Sequence, residues 1–94
     1  MATLFKTDGT VQEIVPAYAL ASLQKLVDGL IEFVYFEDGS AVMVNEEGRL
    51  LGLRTNSAAT AMCFLKRYPL SAPLSGDAVF FSASEMKAMK EMDD

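Results

Sequence analysis

Residues 31–44 hold two short apolar runs, IEFVYFE and SAVMV, joined by Asp38-Gly39. An Asp-Gly pair between apolar runs predicts an antiparallel hairpin, because glycine takes the positive-φ turn position at little steric cost. Along the first run Ile31, Phe33 and Tyr35 point one way, while Val34 and Phe36 share the opposite face with Glu32. A strand that is apolar on both faces has to be covered on both. One cover is a helix; the other is a second helix or a second copy of the chain. That cover must come from a chain of 94 residues, 51% of them apolar, which predicts one domain over residues 1–94 with a modest core.

Upstream, residues 3–7 and 10–15 flank Asp8-Gly9, a dipeptide suited to a type I′ hairpin turn. Pro16 ends the second strand and presets φ for a helix start. Leu20, Leu23, Leu26 and Val27 recur at helical spacing within residues 17–28, with Gly29 as the left-handed stop. Downstream, Asn45-Glu46-Glu47-Gly48 predicts a second turn with Gly48 at positive φ, and residues 49–53 form another short strand or hug the sheet edge. Thr55 or Asn56 caps a helix running through Arg67, its buried side lined by Ala58, Ala61, Met62 and Leu65. Residues 71–76 read as loop and residues 78–81 as the last strand. Ser82 to Glu85 forms a capping box for a closing helix through Met92. Met86, Met89 and Met92 make a stripe on that helix, read as core in preference to a partner surface. Asp93 and Asp94 oppose the helix dipole and predict a frayed end. The fold class is α+β: a mostly antiparallel sheet of about five strands with two packed helices and a short C-terminal helix.

Several function classes fall away. A net charge of −5 argues against a direct nucleic-acid partner, which needs a Lys/Arg surplus. No apolar stretch is long enough to cross a bilayer and the N-terminus has no signal-peptide pattern, so the expected location is cytoplasmic, with no membrane partner. The absence of histidine removes Ser-His and Cys-His catalysis and most zinc sites. The lone Cys63 excludes an internal disulfide and, in an Ala-rich helix without a basic partner, reads as buried and inert.

What remains is an uneven distribution of charge. Residues 31–48 carry Glu32, Glu37, Asp38, Glu46 and Glu47 without a cation, and residues 49–67 carry Arg49, Arg54, Lys66 and Arg67 without an anion. Arg54-Thr55-Asn56-Ser57 falls where a helix begins, and a helix N-terminus with an adjacent guanidinium and hydroxyls suits a phosphate or carboxylate. With the neighbouring corner, the candidate ligand-binding residues are Asn45, Glu46, Arg49, Arg54, Thr55 and Asn56. The commoner use of the same residues is capping by Thr55 or Asn56, with Arg54 paired to Glu46 or Glu47. Glu46 and Glu47 are adjacent carboxylates, a pattern that serves acid–base or divalent-cation chemistry, but neighbours in a turn point apart and no third ligand follows in sequence. No catalytic residue, metal or cofactor is therefore expected.

At residues 45–58 the pattern N-E-E-G-x-L-x-G-L-x-x-N-x-x resembles a family of short uncharacterised proteins, a domain of unknown function carried by bacteriophages, plasmids and other mobile elements. The similarity extends upstream through Leu23-Gln24-Lys25-Leu26-Val27-Asp28-Gly29 and Ile31-Glu32, and more loosely downstream through residues 78–81 and Glu85. Where family members run a Gly-rich strand after the second helix, this chain carries residues 69–76 with Pro69, Pro73 and Gly76. The resemblance brings no assigned activity; it implies an accessory protein of a mobile element, acting in the host cytoplasm. The expected function is a non-catalytic binding protein of counter-defence type. It either sequesters a small anionic, nucleotide-like ligand at the candidate residues or blocks a host protein with its acidic surface. The alternatives are a small metal-dependent hydrolase using Glu46 and Glu47, and a structural or regulatory phage protein. A homo-oligomer is expected, because both hairpin faces, Phe80 and Phe81 need cover, and burying each such side chain is worth ~1.5–3 kcal/mol.

Overall fold

The computed structural model describes residues 1–92. In chain order the elements are β1 (Ala2–Phe5), β2 (Val11–Ile14), α1 (Leu20–Val27), β3 (Ile31–Tyr35), β4 (Ala41–Asn45), α2 (Ser57–Leu65), β5 (Ala78–Phe81) and α3 (Ala83–Met92). The strands form one antiparallel sheet in the order β2-β1-β5-β4-β3, an α+β arrangement. Every residue of the interior strand β4 is buried, as its two-sided apolarity requires.

Both hairpins turn by the same device. Gly9 N–H donates to Lys6 O and Lys6 N–H to Thr10 O; Gly39 N–H donates to Phe36 O and Phe36 N–H to Ser40 O. Each loop therefore holds three residues, with a glycine in the left-handed region at φ +93° or +89°. The two-residue type I′ turn expected at Asp8-Gly9 is thus one residue longer. The aspartate explains why: Asp8 and Asp38 each accept the N–H of the residue two positions on, a local bond that favours a type I turn followed by glycine.

On one face of the sheet α1 and α3 close over Leu4, Met43, Val79 and Phe81, contributing Leu23, Val27 and Met89. On the other, α2 sets Ala59 and Cys63 against Val34, Phe36, Val42 and Val44, with Leu70 and Leu74 of the following loop alongside. Ile31 and Phe33 go to the first face and Val34 and Phe36 to the second, as the alternation predicts. The second cover is α2 of the same chain, and of the hairpin side chains expected to need a partner copy Val34 and Phe36 are buried while Tyr35 stays 64% exposed.

Several local expectations are corrected. α1 starts at Leu20, three residues later than residue 17, after an extended Ala19 that offers no side-chain cap. Its left-handed stop is Asp28 (φ 58°), not Gly29. α2 ends at Leu65 and the chain turns at left-handed Arg67, short of the expected helix end. Its buried residues are Ala59 and Cys63, with Met62 partly covered, while Ala61 and Leu65 face out. Residues 58–65 are nearly all apolar, so periodicity could not pick the face; the cap at Asn56 fixes it. Residues 49–53 form successive turns, with Leu51 N–H on Glu47 O and Leu53 N–H on Gly48 O, and no strand. Gly48 is needed for close approach and not for φ, since a Cβ there would lie 2.7 Å from Ser75 O. At the far end the capping box forms as read: Ser82 N–H donates to Glu85 Oε1 (3.0 Å) and Glu85 N–H to Ser82 Oγ (3.2 Å). Met86 and Met89 pack into the first core. The side chain of Met92 and the expected fraying at Asp93 and Asp94 lie outside the described residues. No helix among the described residues is long and apolar enough to cross a membrane.

Candidate functional site

Asn45 and Asn56 bracket the segment in which the candidate residues fall, and both are buried. Asn45 ends β4. Its Nδ2 donates to Val27 O (3.1 Å) and Asp28 O (3.2 Å), and its Oδ1 accepts Glu47 N–H (2.8 Å). One side chain thereby satisfies the C-terminal carbonyls of α1 and shapes the Glu46-Glu47 corner. Gly29 makes room for it: a Cβ at that position would lie 2.6 Å from Asn45 Nδ2. Asn56, 0% exposed, resolves the choice of cap. Its Oδ1 accepts Ala59 N–H (3.0 Å) at the start of α2, and its Nδ2 donates to Phe5 O (2.8 Å) and Gly76 O (2.9 Å). The side chain thus joins α2, β1 and the entry to β5. Both asparagines are consumed in holding the fold, with no polar atom left over for a ligand.

The other four candidates divide. Glu46 and Arg49, both exposed, line a cleft of about 300 Å³ with Asn45, and the loop from Tyr68 to Ser75 closes its far side. Glu32 lines the same cleft, so two carboxylates stand against one guanidinium. Arg54 lines a different recess, together with Asp28 and Asp77. Its field also reaches Asp8, whose carboxyl is held below its ordinary value chiefly by the Thr10 side chain and N–H and only slightly by Arg54. Thr55 lines neither hollow; it is exposed and bridged to Ser75, which lines the cleft. Asn45, Glu46 and Arg49 are therefore brought together; Arg54, Thr55 and Asn56 are not part of that cleft.

Arg54 pairs with neither Glu46 nor Glu47. The ion pairs among the described residues are Lys66–Asp38 (2.6 Å) and the N-terminal ammonium with Glu85 (3.3 Å). Lys66, helped by the Ser40 hydroxyl and N–H, holds the Asp38 carboxyl well below the usual carboxylate range. The pair ties the end of α2 to the β3–β4 turn. Among the described residues no group of three or more His, Cys, Asp or Glu side chains stands close enough to hold a metal ion. Burial pushes the Cys63 thiol up, away from the thiolate that nucleophilic chemistry needs.

A feature the candidate list omits is apolar. Leu50 (87% exposed), Phe64 (81%) and Leu65 (77%) lie open to solvent, with Leu51 and Tyr68 beside them in the chain. Leu50 and Tyr68 line the cleft with Arg49, and Tyr68 and Phe64 line two further shallow hollows on α2, so Tyr68 joins the 49–53 turns to the exposed side of the helix. The signal was present in the sequence: in AMCFL a helix can bury only one side, and the remaining apolar residues must be left outside.

Comparison with known proteins gives one match of family rank. The profile described as Domain of unknown function (DUF3846) covers residues 2–94. No curated protein and no solved structure matches the chain. With nearly its whole length matched, the chain belongs to the DUF3846 family, a family of uncharacterised domains.

Proposed function

We propose that this chain is a non-catalytic accessory binding protein that works by covering the surface of another protein. The observation that carries this is the set of exposed apolar side chains Leu50, Phe64, Leu65 and Tyr68, joined by adjoining hollows that Arg49 and Arg67 also line. Contiguous exposed apolar area ringed by charge marks interaction sites on soluble proteins, and aromatic and arginine side chains are enriched at their centres. The cleft beside it opposes the nucleotide-like ligand, because Glu32 and Glu46 outnumber Arg49 and would repel a phosphate. The recess at Arg54 has the same imbalance, with Asp28 and Asp77. A phage or mobile-element origin, a counter-defence role and action in the host cytoplasm rest on the sequence resemblance. A homo-oligomer remains part of the proposal, now through this surface and not through the sheet.

The test is a paired capture. Tagged parent protein and the Phe64→Ser/Leu65→Ser variant are passed through bacterial lysate, and any protein enriched is then purified and titrated. A host protein that binds the parent and loses binding to the variant, at equal melting temperature, supports the proposal. Equal capture by both, or calorimetric heat with a nucleotide that disappears in Arg49→Ala, overturns it.

A further inference from the structure

The opposite face of the sheet carries a second feature, independent of the α2 surface. β3 is an edge strand, paired on one side by β4 and on the other by no strand of the described chain. In an antiparallel ladder, residues alternate between bonding to the neighbour and pointing their N–H and C=O away. The bonds Phe36 N–H to Ser40 O and Glu46 N–H to Leu30 O place the even-numbered residues, Glu32 and Val34 included, toward β4. Ile31, Phe33 and Tyr35 consequently turn their backbone groups outward. Their side chains lie on the α1/α3 face, where Ile31 and Phe33 pack on the first core.

Phe33 and Tyr35 also floor a groove. Phe33 and Tyr35 form one side and Met86 and Met89 of α3 the other, around a mainly apolar space of about 660 Å³. Tyr35, 64% exposed, is stacked on Phe33 with ring centroids 5.8 Å apart, a shelf already formed. Lys87 and Lys90, both exposed, line the same groove, and neither is ion-paired to a described residue. Glu91 lies on the same helix but does not line the groove. On a chain of net charge −5, two lysines on one apolar groove are a local reversal of sign.

We propose that the groove between β3 and α3 receives an extended acidic segment of a partner protein, which adds to the free edge of β3 as a further strand. Main-chain bonds to Ile31, Phe33 and Tyr35 provide the pairing. Alternate side chains of the segment enter the groove, apolar ones against Tyr35 and Met86 and carboxylates against Lys87 and Lys90. A second copy of this chain fits poorly. Two β3 edges laid antiparallel would bring another Lys87 and Lys90 to the same side of the sheet, where like charges repel. A long-chain carboxylate would use the groove and the lysines but leave the edge idle. The site faces away from the α2 surface, so its failure does not bear on that proposal.

The probe is an acetylated, amidated peptide, Glu-Thr-Val-Thr-Ile-Thr-Glu, titrated against the full chain by calorimetry. Its Glu, Val and Ile share one face of a strand. The expected results are binding to the parent, binding weakened about tenfold or more by Lys87→Glu/Lys90→Glu, and the same loss when lysines replace the peptide's glutamates. Backbone methylation separates the edge from the groove. Methylating the Val and Ile nitrogens should abolish antiparallel docking and methylating the Thr nitrogens parallel docking, with the other set tolerated in each case. The proposal is overturned by silence of the parent up to about 1 mM peptide, by equal binding of both methylated forms, or by binding of dodecanoate with no binding of the peptide.

Discussion

The two ends of the segment from Asn45 to Asn56 and the turns between them invert the ordinary placement of residues. The asparagines at the ends are interior, hydrogen-bonded through every side-chain polar atom, whereas Leu50 and Leu51 between them are in solvent. α2 repeats the inversion one turn further on, with Cys63 buried and Phe64 and Leu65 exposed. Residue type alone therefore does not assign a role here. Polar side chains that look like ligand groups hold three elements together, and apolar side chains that look like core form the free surface.

The largest effect expected is at Asn56. Asn56→Ala removes a cap and the bonds donated to Gly76 O, buried, and Phe5 O, part-buried, which should cost about 3 kcal/mol of stability. Asn56→Asp keeps the cap acceptor but loses the donated bonds, and in urea denaturation should recover only a minor part of that loss. A full recovery would reduce Asn56 to an ordinary helix cap. Asn45→Ala should follow at about 2 kcal/mol, since Asn45 caps no helix start and the N–H it frees, that of Glu47, lies at an exposed corner open to water. If hydrogen exchange in that variant quickens at Glu47 and along α1 but not in α2, the two clamps act separately.

Smaller effects sharpen the surface side. Arg54→Ala should change stability by less than about 0.5 kcal/mol, because no carboxylate pairs with it; a loss several times larger would place Arg54 in the fold. At Asp38 the effect is a pH dependence. Its folded carboxyl lies below the unfolded value of 3.8, so its contribution is complete above that value and drains away as pH falls through the folded value. Asp38→Asn should therefore flatten the acid limb of a melting-temperature profile below about pH 4. The pair is solvent-exposed, so the change should shrink with added salt. An unchanged acid limb contradicts the assignment.

Much of the fold was legible because its signals are local. Asp8-Gly9 and Asp38-Gly39 marked both hairpins, the alternation from Ile31 to Phe36 assigned the two faces, and Ser82 with Glu85 marked the start of α3. The candidate site was less legible because its residues act over long sequence separations. Nothing near Asn56 in the chain announces that Phe5 O and Gly76 O lie beside it, or near Asn45 that α1 ends there. Arg54 and Arg49 are five residues apart, yet successive turns and left-handed Gly52 (φ 68°) send them to different hollows. The all-apolar run in α2 carried too little periodicity to show which side would be left in water.

The inversion itself can be measured without a partner. Urea denaturation of Asn56→Ala and Phe64→Ser, run beside the parent, compares a buried polar clamp with an exposed aromatic. Phe and Ser have similar helix propensity, so the second change reports burial and not helix formation. The expected loss is about 3 kcal/mol for Asn56→Ala and within about 0.5 kcal/mol for Phe64→Ser. A reversed order, with Phe64→Ser the more damaging, would put the aromatic in the core and the asparagine on the surface, and would contradict the inversion.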